Sequence, residues 1–366
     1  MEETTTKKKL RNYAFVEGYL RECTLKQDVT KAGTPCIKGD VVVATSRINA
    51  QRVHVFIMAT KFDGSENKAY KSVLDVIGAP TIAGYVSSLP NEGHDLDDLG
   101  EKVWEAASHA AAKVWFSGTL EEYATISTDD KGKEKETSTF SFRAGNGGIR
   151  RDNDKRAFTP RCNVELDGII LGIRDEMKKN GAGEDAEMEE TGRKVIDYLW
   201  IDYKDIAHKF KLYAGTDLIN PQAPSLGTFA EYVTNNYEVG NLAQFNVAIV
   251  NLVEYDNGKK KSKADEGWGQ VNEPTFVPNF VHELRVYGGR SKVGYGEDSA
   301  LYVPKDDQTA AAAKRRVLAK ENWERSQKRK NEYAAKNQPA PSTKGFSDAS
   351  IPEAPASFPE FDGGEW

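Results

Sequence analysis

Long hydrophobic runs are missing from this chain of 366 residues. No stretch approaches the roughly 20 consecutive apolar residues that a membrane helix requires. The polar start MEETTTKKKL does not have the apolar segment of a secretory signal peptide. The sequence therefore predicts a soluble protein with no membrane partner.

Cysteine is also scarce, with three residues, Cys23, Cys36 and Cys162, at spacings that do not suit a metal site. An odd number of thiols does not form the paired framework that small secreted proteins use. We therefore expect a reducing, cytoplasmic location, where these thiols act as small buried hydrophobic side chains.

The sequence motifs of common enzyme classes are absent as well. There is no G-x-x-x-x-G-K-[ST] phosphate loop, no H-E-x-x-H zinc motif and no G-x-S-x-G nucleophile turn. The five histidines are scattered along the chain, and no carboxylate cluster has a nuclease-like setting. We predict a protein that is not an enzyme, with no cofactor and no metal.

The charge that is present is unevenly distributed. Of the net charge of -6, residues 337–366 contribute -4, from one lysine and five acidic residues, and they also contain five prolines. Such a composition is too polar to fold alone. The preceding residues 305–336 are rich in helix formers, begin with acids and become strongly basic. We predict a basic helix over 305–336 and a disordered acidic tail over 337–366.

The remaining chain contains the same order of elements twice: three strand-like segments, a helical segment and two more strands. Gly18 and Gly168 lie in the two first strands, with apolar residues at the same spacing around them. The third strands share the pattern His54-x-Phe56-x-Met58 and His208-x-Phe210-x-Leu212. We therefore predict two copies of one domain, over 10–158 and 159–304.

Five strands with a helix between the third and the fourth is the order of an OB-fold, a small Greek-key barrel that binds single strands or oligosaccharides. A glycine inside the first strand gives the backbone room to bend sharply. The predicted fold is mainly β with helical insertions: two tandem five-stranded OB barrels, followed by the basic helix and the acidic tail.

Three segments resemble single-stranded DNA-binding proteins of the bacterial SSB type. The first strand, Asn12-x-Ala14-x-Val16-x-Gly18-x-Leu20, resembles that family's N-x-V-x-L-x-G-x-L. VHVFIMATK is similar to its W-H-R-V-V-L-F-G-K, and Val114-x-Phe116-x-Gly118-x-Leu120 to its V-x-V-x-G-x-L. AEYVTNNYEVGNLAQFNVAIV is similar to its helix and following strand. The resemblance covers roughly residues 10–289 and indicates a phage- or virus-like variant with two fused domains.

The resemblance implies binding of single-stranded DNA without sequence specificity, during replication, recombination or repair. If a phage encodes the chain, the resemblance implies that the protein is located in the host cytoplasm. The resemblance is also compatible with a homo-oligomer. It also implies that an acidic C-terminus ending in an aromatic recruits replication or recombination proteins. Here the tail residues would be Phe361, Asp362, Glu365 and Trp366, although the family's usual ending has consecutive aspartates and a Pro-Phe tip. A tail that only aids solubility is the alternative.

Binding of a single strand needs cations for phosphates and aromatic faces for bases. If the apolar residues of a strand face inward, its other side chains face outward. The strand residues predicted to contact DNA on this basis are Tyr13, Phe15, Tyr19, Trp115, Lys209, Lys211 and Tyr213, and the loop residues are Arg143, Arg150, Arg151, Lys259, Lys260 and Lys261.

Two alternatives to this interpretation stay open. The aromatic side chains of the first strand could instead pack beneath the inserted helices, and the lysines could belong to an ordinary solvated sheet face. In the first domain, His54, Phe56 and Met58 are expected inward, which leaves Val53, Val55 and Ile57 on the outer face. The alternative function is a non-enzymatic scaffold that uses the barrels and the acidic tail for protein contacts.

Overall fold

A computed structural model describes residues 10–90, 96, 99–129, 131–151, 156–180, 187–256, 277–290 and 303–336. The predicted contacts Lys259, Lys260 and Lys261, and the whole predicted tail, lie outside the described residues. The described residues fall into two compact units, one within 10–123 and 138–315 and the other within 124–137 and 316–336.

The first half of the described chain contains six strands and three short helices. The strands are β1 (Asn12–Cys23), β2 (Lys26–Val29), β3 (Pro35–Ala44), β4 (Ala50–Met58), β5 (Lys113–Thr128) and β6 (Glu134–Ile149), and the helices are α1 (Lys68–Leu74), α2 (Ile82–Ser87) and α3 (Glu101–Ala110). β1 pairs antiparallel with β3 and β5, and β3 pairs antiparallel with β4. β4 runs parallel to β6, and β6 neighbours β5. The pairings therefore return to β1, and we call these five paired strands the first ring.

The second half repeats the order of the first ring, without a counterpart of β2 and with one α-helix instead of three. Its strands are β7 (Arg161–Asn180), β8 (Glu187–Ile201), β9 (Ala207–Ala214), β10 (Leu242–Asp256) and β11 (Val277–Arg290), with a 3-10 turn (Pro224–Leu226) and α4 (Phe229–Asn236) after β9. β7 pairs with β8 and β10, β8 with β9, and β10 with β11. β9 runs parallel to β11. These five strands form the second ring of pairings.

A long helix, α5 (Lys305–Lys336), follows the second ring. The prediction of a mainly β chain with a basic helix near its C-terminus is thereby confirmed. The first turn of α5 holds Asp306 and Asp307, which suits the positive end of the helix dipole.

The second compact unit joins the outer ends of β5 and β6 to the last part of α5. Ala124, Ile126 and Ala319 form its small apolar cluster. The Glu134 carboxylate accepts from Arg316 at 2.6 Å and pairs with Lys320 at 2.9 Å. This unit therefore has apolar and ionic contacts of its own.

Gly18 and Gly168 are required for close packing. A Cβ atom on Gly18 would lie 2.3 Å from the Ala44 carbonyl oxygen, and one on Gly168 would lie 2.4 Å from the Leu199 carbonyl oxygen. No side chain fits at such distances. The predicted role of these two glycines, room for the backbone in the first strand, agrees with this geometry.

The two rings are also joined to each other by a strand pair. β1 and β7 run antiparallel from Asn12 opposite Leu166 to Glu17 opposite Arg161. Further contacts across the rings include an isolated bridge from Asn49 to Leu252. Backbone hydrogen bonding thus continues from one ring into the other.

The predicted register of β4 is wrong. Val53, Val55 and Ile57 are buried in the core, whereas Phe56 is 41% exposed and His54 is only half-buried. Val53 and Val55 lie opposite Phe142 and Ala144 of the parallel strand β6, which are also buried. The segment VHVFIM has apolar side chains at both odd and even positions, so the pattern alone did not fix which face is inward.

Candidate nucleic-acid interface

The outer face of β1 carries aromatic side chains, as the alternation predicts. Ala14, Val16 and Leu20 are fully buried, while Tyr13 is 41% exposed and Phe15 is half-buried. The Arg11 guanidinium lies 5.8 Å from the Tyr13 ring centroid. Tyr13 is therefore the ring of this strand most accessible to a ligand.

Tyr19 is placed differently from Tyr13. Its ring meets Trp104 of α3 edge-on at 6.0 Å between centroids, and Phe158 at 5.2 Å. This is the arrangement of the alternative interpretation, in which an aromatic side chain packs against the inserted helices. Trp115, on β5, is half-buried and lies opposite Glu17 in the β1 register.

Phe15 is in contact with two arginines. The Arg156 guanidinium carbon lies 5.7 Å from the ring centroid, and that of Arg161 lies 5.3 Å from it. These distances are within the range of cation–π attraction. Arg156 belongs to the connector between the rings, and Arg161 begins β7.

The three predicted arginines all have acidic partners. Arg150 pairs with Glu17, with 2.7 Å between Nε and Oε1, and Glu17 is 1% exposed. Arg151 lies 3.7 Å from Asp75, and Arg143 lies 3.4 Å from Glu121. The Arg150 pair fixes the connector on β1, because a buried carboxylate needs its cation. The other two pairs are more exposed and weaker.

On β9 the predicted alternation is clear. Phe210 and Leu212 are buried, and Lys209 and Lys211 are exposed. Neither lysine ammonium has an ion pair within the part of the chain that the structure describes. Tyr213 is half-buried, with the Arg193 guanidinium 4.8 Å from its ring centroid. Burial, together with the charges of Glu283 and Glu176, raises the pKa of Tyr213.

Most other charges around β8 and β9 are neutralised in pairs. Arg174 lies 3.2 Å from Asp197, and Lys194 pairs with Asp175. Arg193 pairs with Glu176 at 3.5 Å and with Glu283 at 2.9 Å. Lys209 and Lys211 therefore supply positive charge that neighbouring carboxylates do not cancel.

The corrected register of β4 reveals a second face that the sequence interpretation missed. Phe56 lies opposite Lys38 of β3, and Arg52 lies 3.7 Å from Asp40. His54 Nδ1 is 2.6 Å from Asp40 Oδ1. Burial raises the pKa of Asp40, but the hydrogen bond and charge of His54, with the charge of Arg52, lower it below its ordinary value. Apolar residues stand at both odd and even positions of β4, and this pattern was the signal that either face of the strand could be the inward one.

Neither a metal site nor a membrane span is found in the described parts of the chain. No group of three or more histidine, cysteine, aspartate or glutamate side chains there could hold a metal ion. No described helix has both the length and the apolar character needed to span a membrane.

Similar solved structures include single-stranded DNA-binding proteins, but the likeness is weak. The protein from Thermus aquaticus is 12% identical over 78% of this chain and 94% of that chain, with a TM-score of 0.36. A deletion mutant of it is 12% identical over 81% and 98%, also with 0.36. A Replication Protein A heterotrimer bound to ssDNA is 9% identical over 79% and 68%, with 0.17. At such TM-scores no contact can be transferred to this chain.

No curated protein matches the chain. One family model does match, described as YorF, and it covers residues 104–326, from α3 into α5. The match spans more than half of the chain, so this protein belongs to the YorF family.

Proposed function

We propose that this protein binds single-stranded DNA without sequence specificity and that each ring of strands is an OB-fold barrel. The observation that carries the proposal is the strand pairing. In both rings the first strand pairs with the second and the fourth, and the third runs parallel to the fifth. This is a Greek-key arrangement of five strands, the architecture that OB-folds use to bind oligonucleotides on the face of strands two and three.

The corresponding faces carry the groups that such binding needs. In the second barrel the face of β8 and β9 presents Lys209, Lys211 and Tyr213. In the first barrel the face of β3 and β4 presents Phe56 and, four residues earlier on the same strand, Arg52. Cations that meet phosphates and rings that stack on bases bind any sequence, because every base has an aromatic face.

The two faces differ in their chemistry. The first has an exposed phenylalanine and a carboxylate, Asp40, that is shared by His54 and Arg52. The second has two exposed lysines and only a half-buried tyrosine. We infer that the first barrel contributes more through base stacking and the second more through phosphate contacts.

The finer assignments are proposals that rest on sequence. They are domain boundaries at 10–158, 159–304, 305–336 and 337–366, and a role in replication, recombination or repair. They also include a phage origin and recruitment of partner proteins by the tail residues Phe361, Asp362, Glu365 and Trp366. Removing 357–366 would test the tail: DNA affinity should stay equal or rise, while capture of a partner is lost.

Fluorescence anisotropy with labelled oligo-dT, a DNA duplex and oligo-U RNA, each at two salt concentrations, tests the main proposal. We expect submicromolar, salt-sensitive binding that prefers the DNA single strand. If the protein binds none of the three ligands, the scaffold function is favoured instead. A preference for RNA would retain single-strand binding and reject DNA as the ligand.

A further inference from the structure

Phe15 lies beside two guanidinium groups rather than on an open surface. Arg156 and Arg161 approach the ring to 5.7 and 5.3 Å. Arg156 is exposed, and Phe15 and Arg161 are half-buried. An aromatic ring in this position holds positive charge in place through its negative face.

Neither guanidinium has an acidic partner among the residues that the structure describes. Among the described residues, no ion pair or side-chain hydrogen bond satisfies Arg156 or Arg161, and the Nε of Arg161 is buried without a hydrogen-bond partner. Glu17 lies opposite Arg161 in the strand register, but its carboxylate pairs with Arg150. Other arginines nearby do have partners, such as Arg11 with Glu165 at 2.7 Å.

The two guanidiniums beside Phe15, without an acidic partner in the described part of the chain, form a site for an anion with several oxygens. A guanidinium binds phosphate with a planar fork of donors, which makes arginine well suited to nucleic-acid backbones. We propose that Arg156 and Arg161 bind phosphates of the single strand where the two barrels meet, and that Phe15 positions them rather than stacking on a base. This inference rests on the proposed function and changes the role predicted for Phe15.

The first experiment measures the salt dependence of oligo-dT binding for Arg156→Gln/Arg161→Gln. Each phosphate contact on a single strand contributes about 0.7 to the slope of log affinity against log salt. Loss of two contacts should therefore lower the slope by about 1.4, so that the affinity change between 50 and 200 mM salt shrinks by about sevenfold. The control Lys102→Gln/Lys305→Gln removes two exposed lysine charges and should leave the slope nearly unchanged.

The second experiment separates positioning from stacking. Phe15→Leu should weaken binding by about fivefold, since the cation–π attraction to two guanidiniums is lost. Phe15→Tyr should restore it. The same loss is expected on an abasic strand, which keeps its phosphates but has no bases. In the Arg156→Gln/Arg161→Gln background, Phe15→Leu should cause no further loss, because the residues act together.

The outcomes are distinguishable from failure of the proposed function. If the unaltered protein does not bind oligo-dT, the proposed function is wrong. If it binds and the double variant keeps its full salt slope, Arg156 and Arg161 do not contact phosphates. If the Phe15→Leu loss disappears on the abasic strand, Phe15 stacks on a base. Thermal unfolding of each variant checks that the fold is retained.

Discussion

A buried ion pair ties α5 to the edge of β9. Arg315 donates to both carboxylate oxygens of Glu122, at 2.8 and 2.5 Å, and the two side chains are 6% and 2% exposed. The same carboxylate accepts the backbone N–H of Lys209 at 2.8 Å. Within the described residues, β9 pairs with β11 only from Leu212 onward, and the N–H of Lys209 donates to Glu122 instead. One carboxylate therefore connects α5, β5 and a strand of the proposed DNA face.

Arg315→Met is the most informative change at this junction. It leaves Glu122 charged, buried and without its cation, and breaking a buried pair in this way costs about 3 to 5 kcal/mol. That is a large share of the 5 to 15 kcal/mol by which a typical domain is stable. In Glu122→Gln/Arg315→Met the buried charge is gone and a carbonyl oxygen can still accept from Lys209. The double variant should therefore recover most of the loss.

Urea unfolding of the single and double variants measures these free energies. Hydrogen exchange at the Lys209 amide reports the edge of β9 directly, and that amide should stay protected in Glu122→Gln/Arg315→Met. Arg325→Met is a matched control, because Arg325 pairs with Glu321 at 3.2 Å on the exposed face of α5. It should cost no more than about 0.5 kcal/mol. If the double variant is as unstable as the single variant, the uncompensated buried charge of Glu122 is not the cause of the loss.

Three further predictions concern the proposed DNA faces. Lys209→Ala/Lys211→Ala should lower the salt slope of oligo-dT binding by about 1.4, and an unchanged slope would exclude this face. Phe56→Leu should weaken binding by about 1 to 3 kcal/mol if one base stacks on the ring; equal affinity would show that the ring is not used. The partners of Asp40 lower its pKa in the folded state. Ionised Asp40 therefore contributes stability at pH values above its ordinary pKa of 3.8, and this contribution is lost as the pH falls through the lower pKa of the folded state. Urea midpoints between pH 2 and 6 should show that loss, and His54→Gln should reduce it; identical profiles would contradict the role of His54.

The sequence was most informative where apolar and polar residues alternate without exception. In β9, Phe210 and Leu212 are flanked by lysines, so only one register buries the apolar residues, and the structure has that register. In β4 every position from Val53 to Met58 except His54 is apolar, so two registers were equally compatible with burial. The face with Phe56 was missed for that reason.

The neutralisation of arginines could not be predicted from the sequence. The prediction that Arg143 lies in a loop is wrong, because Arg143 belongs to β6. Arg150 directly follows β6, and its partner, Glu17, is far away in the chain. The partners of such residues depend on which strands lie side by side. The sequence of a connector gives the number of its cations and not the number that stay unpaired.

The repeated glycine in the first strands marks more than a bend inside each ring. On one edge of β1, residues 12–17 pair with β7 and residues 19–23 pair with β3, so that edge changes its partner at Gly18. In β7, residues 161–166 pair with β1 and the residues from 169 pair with β8, so the change occurs next to Gly168. Each glycine follows a buried acidic residue, Glu17 or Asp167, which lies six positions after an arginine. The repeat therefore marks the joint between the two rings. One edge of each first strand pairs first with the other ring and, after the glycine, with the second strand of its own ring, while its other edge pairs with the fourth strand of its own ring, β5 or β10.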